Sequence, residues 1–139
     1  MKKRRWTAAA VAVMLLFTGC SFCTLKEQKT GEIEYEIGKK EEIPEKLKEE
    51  IAEAEKSEMW ISYADTGNEG RYLYIVRGYG RQETTGYSIE VNECYETEHT
   101  VVVRTTLLGP QKKEKTHKKK TYPYIVIKIP YTDKQIIYE

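Results

Sequence analysis

Residues 72–91 read YLYIVRGYGRQETTGYSIEV: two strand-like runs joined by a polar stretch that opens after two glycines. Tyr72 to Val76 form an unbroken apolar run of aromatic and branched side chains, the composition of a buried strand. Gly78 and Gly80 punctuate it. From Tyr87 onwards the period becomes two, with Tyr87, Ile89, Val91 and Tyr95 on one side of a second strand. The connection between the runs, Arg81-Gln-Glu-Thr-Thr-Gly-Tyr-Ser-Ile89, carries no catalytic set. Thr84 and Thr85 favour extended backbone, Gly86 permits a left-handed turn or a close approach, and Tyr87 offers an anchor into the domain. Two readings of this loop stay open: a bulge or tight corner that serves geometry alone, and a preformed surface that loses little entropy when a partner binds.

Strand patterns continue in both directions. "EIEYEI", from Glu32, alternates Glu with Ile33, Tyr35 and Ile37, the period of a strand with one buried face. Pro44 suits a first helical position, and Leu47, Ile51 and Ala54 recur at helical spacing in "EKLKEEIAEAEKSE". The stripe is narrow, so the helix covers a sheet or lies at its edge. "MWISYA", the turn "DTGNEG", "TVVVRTTL", "YPYIVIKIP" and "KQIIYE" complete about seven strands and one helix near the domain's N-terminus. The expected fold class is α+β, predominantly β: antiparallel strands in a sandwich-like or partly closed sheet. The Tyr122–Pro123 bond is a candidate cis peptide, with trans the favoured isomer.

The N-terminus reads as an export signal. Lys2, Lys3, Arg4 and Arg5 precede an apolar stretch, Trp6 to Phe17, that is short for a bilayer span. Leu16-Phe17-Thr18-Gly19-Cys20 resembles the bacterial lipobox, with Cys20 as the lipid-attachment residue. The expected organisation is a lipoprotein signal peptide over 1–19, a flexible tether over 20–31 and one domain over 32–139, held on the extracytoplasmic side of the cell envelope. An uncleaved anchor and ordinary signal-peptidase cleavage are the alternatives. Removing residues 1–19 takes four positive charges from a net +1, leaving a mildly acidic chain. Cys23 and Cys94 then remain as a candidate disulfide pair.

Enzyme and metal chemistry find little support. Of 22 acidic residues only Asp65 and Asp133 are aspartates. His99 follows "ETE" in a polar turn, and His117 lies among Lys112, Lys113, Lys115, Lys118, Lys119 and Lys120, where a cationic setting opposes a metal ion. No catalytic residue, metal or cofactor is expected. The lysine loop contains no aromatic residue to stack a base, so nucleic acid is not an expected partner. It reads as a solvated hairpin loop, with weak attraction to anionic lipid or envelope polymer through Lys112 to Lys120 as the functional alternative. Eleven Tyr against two Phe suit strands whose rings cover a small core while their hydroxyls reach water; a protein-binding face is the competing account.

"YLYIVRGYGRQETTGYSIEV", "TTLLGP", "TYPYIVIKI" and "QIIYE" together resemble the PrcB C-terminal family, over about residues 33–139. The specific marks are Gly80, Gly86, Tyr87, Ser88 and Ile89, then Gly109-Pro110 and Tyr122-Pro123-Tyr124. Thr85 stands where the family commonly has a glycine, which removes one position free to take positive φ. The resemblance implies a non-catalytic accessory role, since the family's namesake is a lipoprotein associated with a surface subtilisin-like protease and needed for its accumulation. It points to binding and stabilisation of a partner protein, with a protease as the implied client, through Arg81, Thr84, Thr85, Gly86 and Tyr87. "TTGY" is also similar to a loop of chagasin-like cysteine protease inhibitors, so inhibition through Thr84–Tyr87 is the second functional reading.

Overall fold

The computed structural model describes residues 27–67 and 70–139. The expected signal peptide, Cys20 and Cys23 lie outside the described residues. Along the chain come β1 (Gly31–Glu32), β2 (Glu36–Ile37), α1 (Glu45–Ala54), β3 (Glu58–Asp65), β4 (Tyr72–Tyr79), β5 (Ser88–Glu96), β6 (Thr100–Leu108), β7 (Tyr124–Pro130) and β8 (Gln135–Tyr138). They form two four-stranded sheets, ordered β1-β5-β6-β8 and β2-β7-β4-β3. The fold is mostly β, and neither sheet closes into a barrel.

Eight strands replace the expected seven because "EIEYEI" is divided. Its start pairs with β5, Glu32 opposite Tyr95, and its end pairs with β7, Ile37 opposite Ile127. The segment therefore passes from one sheet to the other instead of lying along either. Its supposed buried face is correspondingly incomplete: Ile33 packs against the core, whereas Tyr35 and Ile37 are 39% and 51% exposed.

Pairing is antiparallel except at one edge, where β6 and β8 run parallel with Thr100 opposite Gln135. The exception has a topological cause. β7 leaves the sheet of β6 and crosses to the other, so β8 returns alongside β6 in the same direction, as a parallel crossover requires.

One hydrophobic cluster draws on both sheets: Leu73, Ile75, Ile127 and Ile129 from β4 and β7, and Cys94, Val101 and Val103 from β5 and β6. On the other face of β4 and β7, Tyr74, Val76 and Val126 meet Ile43, Leu47 and Ile51. This explains the unbroken apolar run of β4, whose two faces are covered by different layers. The narrow stripe of α1 covers a sheet face, as its spacing predicts. Pro44 sits one residue ahead of the helix as its N-cap, with ψ 141°, and not within the first turn; its carbonyl accepts the Lys48 amide at 3.0 Å.

Two side-chain hydroxyls link the sheets. Tyr79 Oη lies 2.6 Å from Thr105 Oγ1, and Tyr138 donates to the Ile61 carbonyl at 2.8 Å. A bulge between Val91 and Glu93 changes the parity of β5. Ile89 and Val91 share the inward face that alternation predicts, but the extra residue turns Cys94 into the core and Tyr95 to the opposite face, where it is still buried and Lys29 lies 5.3 Å from its ring centre. Tyr95 is thus on the opposite side from Ile89, a correction to the simple alternation.

Cys94 is a free, buried thiol, and burial pushes its pKa up to about 11. Glu27, within the expected tether, accepts hydrogen bonds from the hydroxyl of Thr97 and the amide of His99, with His99 Nδ1 2.9 Å from its carboxylate. The Thr97 hydroxyl, followed by His99, holds the Glu27 carboxyl below its usual range. The chain thus enters the described fold at the β5–β6 turn.

Candidate functional site

The opposite end of β5 holds two connections that cross between the sheets. Residues 80–87 lead from β4 to β5, and residues 109–123 lead from β6 to β7. The lysine segment expected as a hairpin loop is therefore a crossover, because its flanking strands belong to different sheets.

The two crossovers are fastened to each other. Gln82 and Thr121 exchange backbone hydrogen bonds, with N···O distances of 2.8 and 2.9 Å, as an isolated antiparallel bridge. The Thr121 hydroxyl donates to the Thr84 carbonyl at 2.8 Å. Thr85 binds twice: its amide donates to the His117 carbonyl at 3.1 Å, and its hydroxyl accepts the His117 amide at 3.0 Å. Such paired backbone groups make the loop a small continuation of sheet structure and satisfy donors that would otherwise need water.

Gly86 makes the closest approach. Its φ is +96°, and a Cβ there would stand 2.7 Å from Pro110 Cβ and 3.2 Å from Glu114 Oε2. Glycine is required on both counts. Gly80, at φ +69°, lies against the backbone of Ser57 and Glu58, which fixes where the loop leaves β4. Tyr87 is half-buried beside Gly109, and the Tyr79 amide donates to the Pro123 carbonyl at 3.1 Å. The Tyr122–Pro123 bond is trans, since the described residues contain no cis peptide.

Thr85 takes negative φ, as every described non-glycine residue does. Its substitution for a glycine therefore needs no left-handed backbone, and the hydroxyl it adds is used on His117. What faces solvent is a rim: Arg81, ion-paired to Glu83 at 3.0 Å, then Gly86 and the exposed segment Gln111–Lys120. Of the residues singled out in the sequence, Arg81 and Gly86 are exposed, while Thr84, Thr85 and Tyr87 are half-buried and hold the loop together. Sequence reasoning treated residues 84–87 and 112–120 as separate features and missed that they touch. It had no pairing signal for Gln82, Thr121 and His117, whose contacts lie more than 30 residues apart.

The Thr-Gly-Tyr, Gly-Pro and Tyr-Pro-Tyr marks thus meet at one corner of the fold. Residues 73–130 match the family model described as PrcB C-terminal. Over this stretch the chain is similar to the PrcB C-terminal family. The match runs from β4 through β7 and contains both crossovers; it is shorter than the span over which the sequence resembles the family, leaving out β2, α1, β3 and β8. No curated protein and no solved structure matches the chain.

His99 and His117 lie apart from one another in role. His99 sits at the β5–β6 turn with Glu27, and His117 contributes its backbone to the crossover corner. Arg77, below the corner, is stacked 3.9 Å from the Tyr79 ring centre and 4.5 Å from that of Trp60, and pairs with Glu58 at 3.8 Å. This cation–π contact braces the end of β4 from which the first crossover departs.

Proposed function

We propose that the chain is an envelope-anchored, non-catalytic lipoprotein that binds and stabilises a partner protein through the corner formed by residues 81–87. The anchor in this reading is Cys20, and the PrcB family name favours a protease complex as the setting. The observation that carries the reading is the fastening of the loop at both flanks, by the Gln82–Thr121 bridge and the double Thr85–His117 contact. A loop held in one conformation before binding loses little entropy on association, which suits a docking surface.

Photocrosslinking tests this directly. A photoactivatable residue in place of exposed Glu83, in the full-length chain in its own envelope, is expected to give a discrete protein adduct. The same residue in place of Glu49, on the solvent side of α1, is expected to give none. Adducts from both positions alike, or from neither, would count against the reading. If the adduct is a protease, its activity with and without the chain distinguishes stabilisation from inhibition through Thr84–Tyr87.

A further inference from the structure

The lysines beside the corner have no described carboxylate partner. Lys112, Lys113, Lys115, Lys118, Lys119 and Lys120 are exposed, and none forms an ion pair among the described residues. Lys39, Lys40, Lys46 and Lys56 likewise form no ion pair among the described residues, but they are scattered among glutamates, whereas the loop gathers six lysines within nine residues with Glu114 as its one carboxylate. Because the Thr84–Thr85 segment is bonded to Thr121 and His117, these charges are carried on the same rigid corner as Arg81. They form one positively charged rim on a chain whose other regions carry an excess of carboxylates.

We propose that this rim selects an acidic protein surface, so that the partner docks a cluster of Asp and Glu side chains on the lysines flanking residues 81–87. The inference rests on the partner-binding reading and adds the chemistry of the partner. Three observations favour a protein surface over other polyanions. Glu83 and Glu114 interrupt the cations, which penalises a polymer of uniform negative charge but fits a mixed protein surface. The cations in Gln111–Lys120 are all lysines, point charges without the planar fork that grips phosphate in two places. The chain enters the fold at Glu27, at the other end of β5, a strand of nine residues, so the rim lies about 30 Å from the end through which an N-terminal anchor would tie it to lipid. The expected consequences are steered, salt-sensitive association and discrimination against basic surfaces.

The test uses the full chain and, as probe, a fluorescent peptide in which clustered Asp and Glu residues are interspersed with Lys, in the manner of an acidic protein surface, followed by anisotropy. Binding is expected to weaken about tenfold or more between ~50 and ~300 mM salt, and by a similar factor when the six lysines are replaced by glutamine. Circular dichroism of the glutamine chain checks that the fold persists, as expected for an exposed segment; Lys118→Gln with Lys119→Gln provides a milder variant. Peptide binding unchanged by either set of replacements would overturn the proposal. So would at least tenfold tighter binding of polyphosphate of matched charge, or of phosphatidylglycerol vesicles, since the rim would then serve an envelope polymer or a lipid surface. The assay contains no natural partner. Its failure alongside a Glu83 adduct removes the acidic chemistry and leaves the partner-binding reading standing; its success without an adduct does the reverse.

Discussion

At φ +96°, with Pro110 where its side chain would be, Gly86 decides whether the two crossovers can lie together. Gly86→Ala is expected to cost about 2 kcal/mol, combining a left-handed backbone with a steric clash, as read by denaturant unfolding. A gentler perturbation is Thr121→Val, which deletes the donor to the Thr84 carbonyl but spares the Gln82–Thr121 backbone bridge. It should cost about 1 kcal/mol and raise amide exchange across residues 84–87 more than elsewhere. Unaltered exchange there would mean that the hydroxyl does not hold the loop. The need for glycine at this point was legible in the sequence, as was the anchoring of Tyr87. The partners were not, because Pro110, His117 and Thr121 come from a loop whose composition shows only exposure and charge.

At the scale of elements, strand and helix positions follow closely from hydrophobic period, while sheet membership does not. "EIEYEI" alternates well enough for one strand, yet nothing local says that Glu32 pairs with Tyr95 and Ile37 with Ile127 in different sheets. The bulge at Val91–Glu93 is similarly silent: one inserted residue sends Cys94 inwards and leaves the apolar count of the strand unchanged. Parallel β6–β8 pairing depends on where β7 goes, a long-range matter. The role of α1, by contrast, was readable from its stripe. Leu47 is fully buried, so Leu47→Ala is expected to destabilise the fold by about 2–5 kcal/mol, whereas Glu49→Ala should be nearly silent. Equal effects in thermal or denaturant unfolding would show that α1 does not cover the sheet.

For the whole molecule, the buried layer shared by the two sheets sets an alkaline limit. Burial raises the Cys94 thiol to about 11 and the Tyr138 hydroxyl to about 12, both above their unfolded values. The folded state therefore keeps protons that the unfolded chain releases first. Stability is full below the unfolded values and falls progressively from about pH 9 towards pH 12. Cys94→Ala should remove the part of that decline lying below about pH 10, before Tyr138 begins to contribute, measured as unfolding free energy against pH. An undiminished slope would place the responsible group elsewhere.

The same layered arrangement holds both crossovers at the end of the fold opposite the entry of the chain at Glu27, and places a basic rim beside a fastened corner. A corner built in this way is expected to meet another protein. Crosslinking from position 83 in the envelope, with position 49 as the control, is the most direct measurement: a discrete adduct from 83 alone is the predicted result, and labelling that does not distinguish the two positions would contradict it.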